Sequence, residues 1–170
     1  MEYSLEEHKH RFAIWTAARA VQRSWTTTAN ISKVINSVNL IDFAKSIQTK
    51  NDESSFDKLH IQVCEQMIEE FCKIYVKATY GRVAKIVAIY LKTYIVIGST
   101  FDNNTIEHIH PPIDRILLRN LPKHQHLDAI SKLNWTQLDK AKYLEIVKKI
   151  RDTLGFFNWR LEKYWKPEIE

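Results

Sequence analysis

Helical periodicity organises almost the whole chain. Ser4 followed by Glu7 is a capping box, in which each side chain satisfies an orphan amide, so a helix runs from there to about Ser24. Phe12, Trp15, Ala18 and Val21, at steps of three, are its expected apolar residues. Thr26, Thr27 and Thr28 offer caps for a second helix, where Ile31, Val34, Ile35 and Val38 follow the i, i+3, i+4, i+7 rule. Leu40, Ile41, Phe43, Ala44 and Ile47 continue in a short helix or a bent extension. The polar run 48–54 reads as a loop and Ser55 as the next cap. Phe56, Leu59, Val63, Met67 and Phe71 form the stripe of the helix that follows.

The most apolar stretch is Arg82 to Ile97. Its β-branched residues suit a strand, but its length and the spacing of Val83, Val87, Tyr90, Leu91 and Tyr94 predict a helix, stopped by Gly98. A helix apolar nearly all round belongs at the centre of its fold. Downstream, His110-Pro111-Pro112 leads into a helix with proline in its first turn and Pro122 at its end. Leu127 to Leu133 reads as a short helical turn. Thr136 and Asp139 resemble a capping box for a helix that runs to Leu154 and stops at Gly155. Phe156 to Trp165 forms a final, aromatic-rich helix that docks on the bundle or on another subunit. The expectation is an all-α single domain over residues 1–170, a bundle of about six or seven helices around one central apolar helix.

Composition narrows the classes. Three glycines and four prolines leave few tight turns, which disfavours a many-stranded β fold, and they exclude Gly-rich nucleotide cradles. No cofactor is expected. Cys64 and Cys72 lie eight residues apart on one predicted helix, roughly 12 Å, beyond the reach of a disulfide. Two buried thiols in a reducing cytoplasm are the expectation. The N-terminus lacks the charged flank and apolar run of a signal peptide. Lys85 and Lys92 interrupt the apolar stretch, which is too short and too charged for a membrane span, so no membrane contact is expected. The net charge of +5 is uneven, −2 through Cys72 and +7 from Lys73 onward. A basic second half can attract phosphates.

Several constellations could carry chemistry. Three His-x-His pairs occur, His8/His10, His108/His110 and His124/His126. Residues i and i+2 diverge on a helix, so His8/His10 is a poor chelate; the other two pairs sit in predicted loops where convergence is possible, but no metal motif accompanies them, so surface histidines without metal are expected over a site built from His108, His110 and a second loop. Tyr80-Gly81-Arg82-Val83-Ala84-Lys85 opens the central helix, with Arg82 and Lys85 on one face. Freed amides with Arg82 could form an anion pocket; otherwise Lys85 snorkels and Arg82 pairs across helices. In His110-Pro111-Pro112-Ile113-Asp114-Arg115 the prolines hold His110 and Asp114 firmly, for acid–base work if they meet, or Asp114 serves the helix dipole. Arg82, Lys85, His110, Asp114 and Arg115 are therefore the candidate ligand-binding residues. The five tryptophans could stack on bases, but at this spacing they fit core or partner contacts better.

Arg119-Asn120-Leu121-Pro122-Lys123-His124 resembles the signature of the HEPN superfamily of helical domains, many of them metal-independent ribonucleases. The resemblance implies that Arg119 contacts phosphate while His124 assists in-line attack by a ribose hydroxyl. His126 fits a looser form, and Pro122 departs from the usual pattern. Tyr80-Gly81-Arg82 to Lys92, His110 to Arg115 and the tail Glu162 to Pro167 are similar to small helical bacterial proteins of no assigned function, which implies a helical fold and no particular activity. The expectation is a non-catalytic interaction module that binds a protein, a second copy or nucleic acid through its basic half; the alternative is a ribonuclease using Arg119 and His124.

Overall fold

Side-chain caps set the starts of most helices. The computed structural model describes residues 3–49, 52–97, 106–124 and 127–166, and among them the chain is all-α with no strand. Ser4 caps α1 (Leu5–Val21), Thr27 caps α2 (Thr28–Ser37), and α3 (Leu40–Ile47) follows a left-handed Asn39. Asp52 caps α4 (Glu53–Lys73), its carboxylate accepting the Ser55 amide at 2.7 Å, so Ser55 lies inside the helix rather than at its cap. Thr79 caps α5 (Tyr80–Leu91), which continues as a π-helical turn, Lys92–Val96. Next come α6 (Arg115–His124) and α7 (Lys140–Leu154). Asp139 is the α7 cap, while Thr136 belongs to the preceding 3-10 turn, Trp135–Gln137; Gly155, at φ 80°, ends α7 in the left-handed region.

The prolines act differently from expectation. Pro111 and Pro112 precede α6, because Asp114 takes the cap position and the helix begins at Arg115. Pro122 lies inside α6, which runs two residues past it; only one bond of the last turn is lost there. The stretch after Phe156 is a 3-10 helix, Trp159–Tyr164, that docks on the bundle through Phe157 and Leu161. Gly98 and Pro167 lie outside the described residues.

The apolar stretch is the axis. Every residue of α5 except Arg82 and Lys85 is buried, and α1 and α4 make its most extensive helix contacts. On α1 the buried face is Ala13, Ile14, Ala17, Ala18 and Val21, whose small alanines permit close approach. Phe12 and Trp15 point outward instead. Steps of three fall short of a full turn by about 60° each, so the sequence from Phe12 to Val21 winds across to the opposite face. Cys64 is buried, whereas Cys72 is exposed.

Gly81 joins the axis to the turn that follows α6. Thr79 Oγ1 donates to the Thr136 carbonyl at 2.8 Å, and the Gly81 amide donates to the Leu138 carbonyl at 3.0 Å. A Cβ on Gly81 would stand 2.1 Å from the Trp135 carbonyl oxygen. Helix propensity alone favours alanine there by about 1 kcal/mol. The close approach reverses the sign: Gly81→Ala is expected to lose about 1–3 kcal/mol in urea unfolding, and a gain in stability would contradict the contact.

Candidate functional site

Four of the five candidate ligand-binding residues meet in one hollow. Arg82 and Lys85 lie in the first turn and a half of α5, Asp114 and Arg115 at the start of α6. Arg19 and Arg23, from the end of α1 and the turn beyond it, close the near side, and Trp135 and Thr136 the far side. This cavity holds about 300 Å³. A second, about 650 Å³, is lined by Arg119, Lys132 and Asn134 and shares Arg115, Trp135 and Thr136 with the first. The common walls make the two one trench.

The charges of this trench do not balance. Arg19, Arg23, Arg82, Lys85, Arg115, Arg119 and Lys132 line it, against Asp114 as the lone carboxylate among the described lining residues. Asp114 is moreover consumed. Its Oδ1 accepts the Ile116 and Leu117 amides, each at 3.0 Å, and caps α6. Its Oδ2 accepts Lys85 Nζ at 3.1 Å and Trp165 Nε1 at 2.9 Å. The helix-dipole role expected for Asp114 is therefore present, joined to a salt bridge whose two side chains are each 10% exposed. Lys85 also lies 4.5 Å from the centroid of the Trp135 ring. Among the described residues, no salt bridge involves the other six cations. The ion pair across helices thus falls to Lys85, and Arg82 instead stands over the Trp25 ring at 5.0 Å, with partial burial lowering its pKa.

An anion here would be held by side chains, not by helix-start amides. Gly81 N is bonded to Leu138 O, Arg82 N to Thr79 Oγ1 and Val83 N to Thr79 O. The Ile116, Leu117 and Leu118 amides of α6 are taken by Asp114. Five guanidinium forks remain, each able to grip phosphate oxygens two at a time. Arg119, four residues after Arg115 on α6, lies on the same face and is exposed. His124 ends α6, and its side chain lies outside the described residues, as does His126.

His110 is elsewhere. It is buried, and it does not meet Asp114. Its Nε2 donates to Asp57 Oδ1 at 3.0 Å and its Nδ1 accepts the Tyr143 hydroxyl at 3.2 Å, which fixes one neutral tautomer. Arg151 holds Asp57 through two bonds, 2.5 and 3.0 Å, and lies 3.1 Å from Glu53. Fully buried His60 packs 4.5 Å from His110, between Cys64 on α4 and the Tyr143 ring. Burial lowers both imidazoles; for His110 the bond to Asp57 and its charge oppose the shift without reversing it, and for His60 the neighbouring His110 adds to it. Burial would raise the Asp57 carboxyl, but the bonds from His110 and Arg151 outweigh it and hold it well below the usual carboxylate range. This cluster ties α4, the Pro111-Pro112 segment and α7 together in the core. Among the described residues, no three His, Cys, Asp or Glu side chains converge as metal ligands, and no helix is long and apolar enough to cross a membrane. His8 meets Tyr3 and His10 meets Tyr90, so that pair diverges as its spacing requires.

The partners of Arg115 from the α1 end and the 131–135 turn were not legible. Arg19 and Arg23 are four residues apart, the second just past the end of α1, a spacing too common to single out. Trp135 carries no local motif.

Two predictions follow from these polar centres. Asp114→Asn keeps an acceptor for the cap but leaves the buried ammonium without its counter-charge, so it is expected to cost about 3–5 kcal/mol in urea unfolding. Adding Lys85→Met should restore part of that loss, and strictly additive effects would refute the coupling. Because the folded-state pKa values of His60 and His110 lie below the unfolded value near 6.5, the unfolded chain binds more protons on acidification. The thermal midpoint should hold above about pH 7 and fall as pH drops below the unfolded value, with the Asp57 contribution lost only under stronger acid; His60→Leu should flatten the first decline. A midpoint constant down to the carboxylate range would refute it.

The chain matches no family model, no curated protein and no solved structure.

Proposed function

We propose that this chain is a non-catalytic nucleic-acid-binding module that holds a phosphate backbone in the trench. The observation that carries the reading is the imbalance, among the described lining residues, of seven cationic side chains to one carboxylate, with six of the cations outside any described salt bridge. Such an array repels itself, and a polyanion relieves the repulsion while releasing condensed counterions. Arginine predominates, and its planar fork suits phosphate better than ammonium does. Among the described lining residues there is no histidine, no thiol and no free carboxylate to serve as general acid or base, which favours binding over chemistry.

A second reading is a metal-independent ribonuclease with Arg119 on phosphate and His124 as its partner. The place of Arg119 in the trench wall favours it.

Affinity for an oligonucleotide, followed by fluorescence anisotropy across a salt series, tests the first reading. Arg115→Ala with Arg119→Ala should weaken binding and lower the slope of log K against log salt by roughly 1 per arginine, while the unfolding midpoint stays put. Unchanged affinity in the double variant would overturn the trench as the site. Cleavage of RNA in EDTA, abolished by His124→Ala, would move the conclusion to the second reading.

A further inference from the structure

The outer face of α1 carries a feature that the fold does not use. His8, Phe12, Trp15 and Arg19 recur at steps of four, three and four, so they form one stripe along the helix. Phe12 and Trp15 are 52% and 57% exposed. Their rings stack on each other, centroids 5.9 Å apart and planes 21° apart. The packing of α1 is carried by its alanine face, so neither ring is needed there. Two stacked rings left in water form a flat π surface open on its outer side.

That surface is flanked by positive charge. Arg19, one turn beyond Trp15, and Arg23 are walls of the trench. On the other flank Arg11, 5.0 Å from the Tyr3 ring centroid, is paired with Glu7, so the charge outside any described salt bridge lies on the trench side. From Phe12 to Arg19 the helix rises roughly 10 Å, so the rings and the first trench cations lie within the span of neighbouring nucleotides.

The geometry points to single-stranded nucleic acid as the ligand, its backbone in the trench and the bases that emerge past Arg19 stacked on Phe12 and Trp15. This rests on the trench as a phosphate site and adds what kind of strand it takes. Paired bases hide their π faces inside a duplex, whereas an unpaired strand offers a face at every position. Stacking on exposed aromatic side chains is tolerant of sequence, because every base presents a π face. Two adjoining rings that lead into the trench cations through Arg19 complement a chain that carries a base beside each phosphate.

The test uses the full chain with Phe12→Ala/Trp15→Ala, Arg115→Ala/Arg119→Ala and the unaltered protein. Three probes are titrated: a short labelled oligouridylate, a duplex of similar length and inorganic polyphosphate, which has charge without bases. The unaltered protein should bind the single strand at least about tenfold tighter than the duplex. The aromatic variant should lose about tenfold or more on the single strand, keep its salt slope, and bind polyphosphate unchanged. Circular dichroism and the unfolding midpoint should match those of the unaltered protein, since both side chains are exposed. If the arginine variant weakens every probe while the aromatic variant changes none, the stacking inference is overturned and the trench stands. If neither variant alters binding, both readings fall. If the aromatic variant instead abolishes a concentration-dependent increase in sedimentation mass without altering oligouridylate affinity, the rings belong to a contact between copies and the inference is likewise overturned.

Discussion

Lys85 lies on the helix about which the rest of the chain packs, and its side chain is nine-tenths removed from water. An ammonium so placed costs several kcal/mol unless a counter-charge accompanies it. Asp114 supplies that charge, and the same carboxylate caps α6 and accepts the Trp165 indole. One electrostatic need thus fixes where α6 starts, how it is oriented and where the tail comes to rest. Arg115 and Arg119 follow Asp114 directly on α6, so the trench wall inherits its position from the demand of a buried cation.

A second polar centre does the same on the opposite side of the axis. Asp57 on α4 receives His110 and Arg151, and Tyr143 completes the hydrogen bonding of His110. The two centres divide the labour between them. The first shapes a surface; the second, with His110 and Tyr143 buried and the Asp57–Arg151 pair partly open to water, joins elements distant in sequence. Their partners are specific in direction, so they select one packing of helices among the several that apolar burial alone would tolerate.

Much of the fold is legible in the spacing of apolar residues, because burial acts on whole helix faces. The central role of α5, the caps at Ser4 and Thr27 and the stop at Gly155 all follow from local rules. Phe12 and Trp15 misled because steps of three look like one face over a short window and are not. Pro122 reads as a terminus because proline weakens helices, yet two residues persist beyond it. The site was legible in half. Arg82, Lys85, Asp114 and Arg115 stand out because ions near an apolar element or a cap demand explanation. His110 shares that prominence, but its partners Asp57, Tyr143 and Arg151 lie 33 to 53 residues away in sequence, and nothing local announces them. Arg19, Arg23 and Trp135 reach the trench through tertiary packing alone.

The attachment of the Trp135 turn to α5 has a consequence for change over time. That wall is anchored by main-chain atoms, the Gly81 amide and a carbonyl pressed where a methyl would be, together with one threonine hydroxyl. Of the side chains that face into the trench, Lys85 adds its contact with the Trp135 ring, whereas the exposed Arg115 and Arg119 are in no described salt bridge. Ligand preference can therefore drift by substitution along the rim while the scaffold stays as it is, whereas a single added carbon at position 81 disturbs both at once. Variation and invariance are assigned to different atoms of the same few residues.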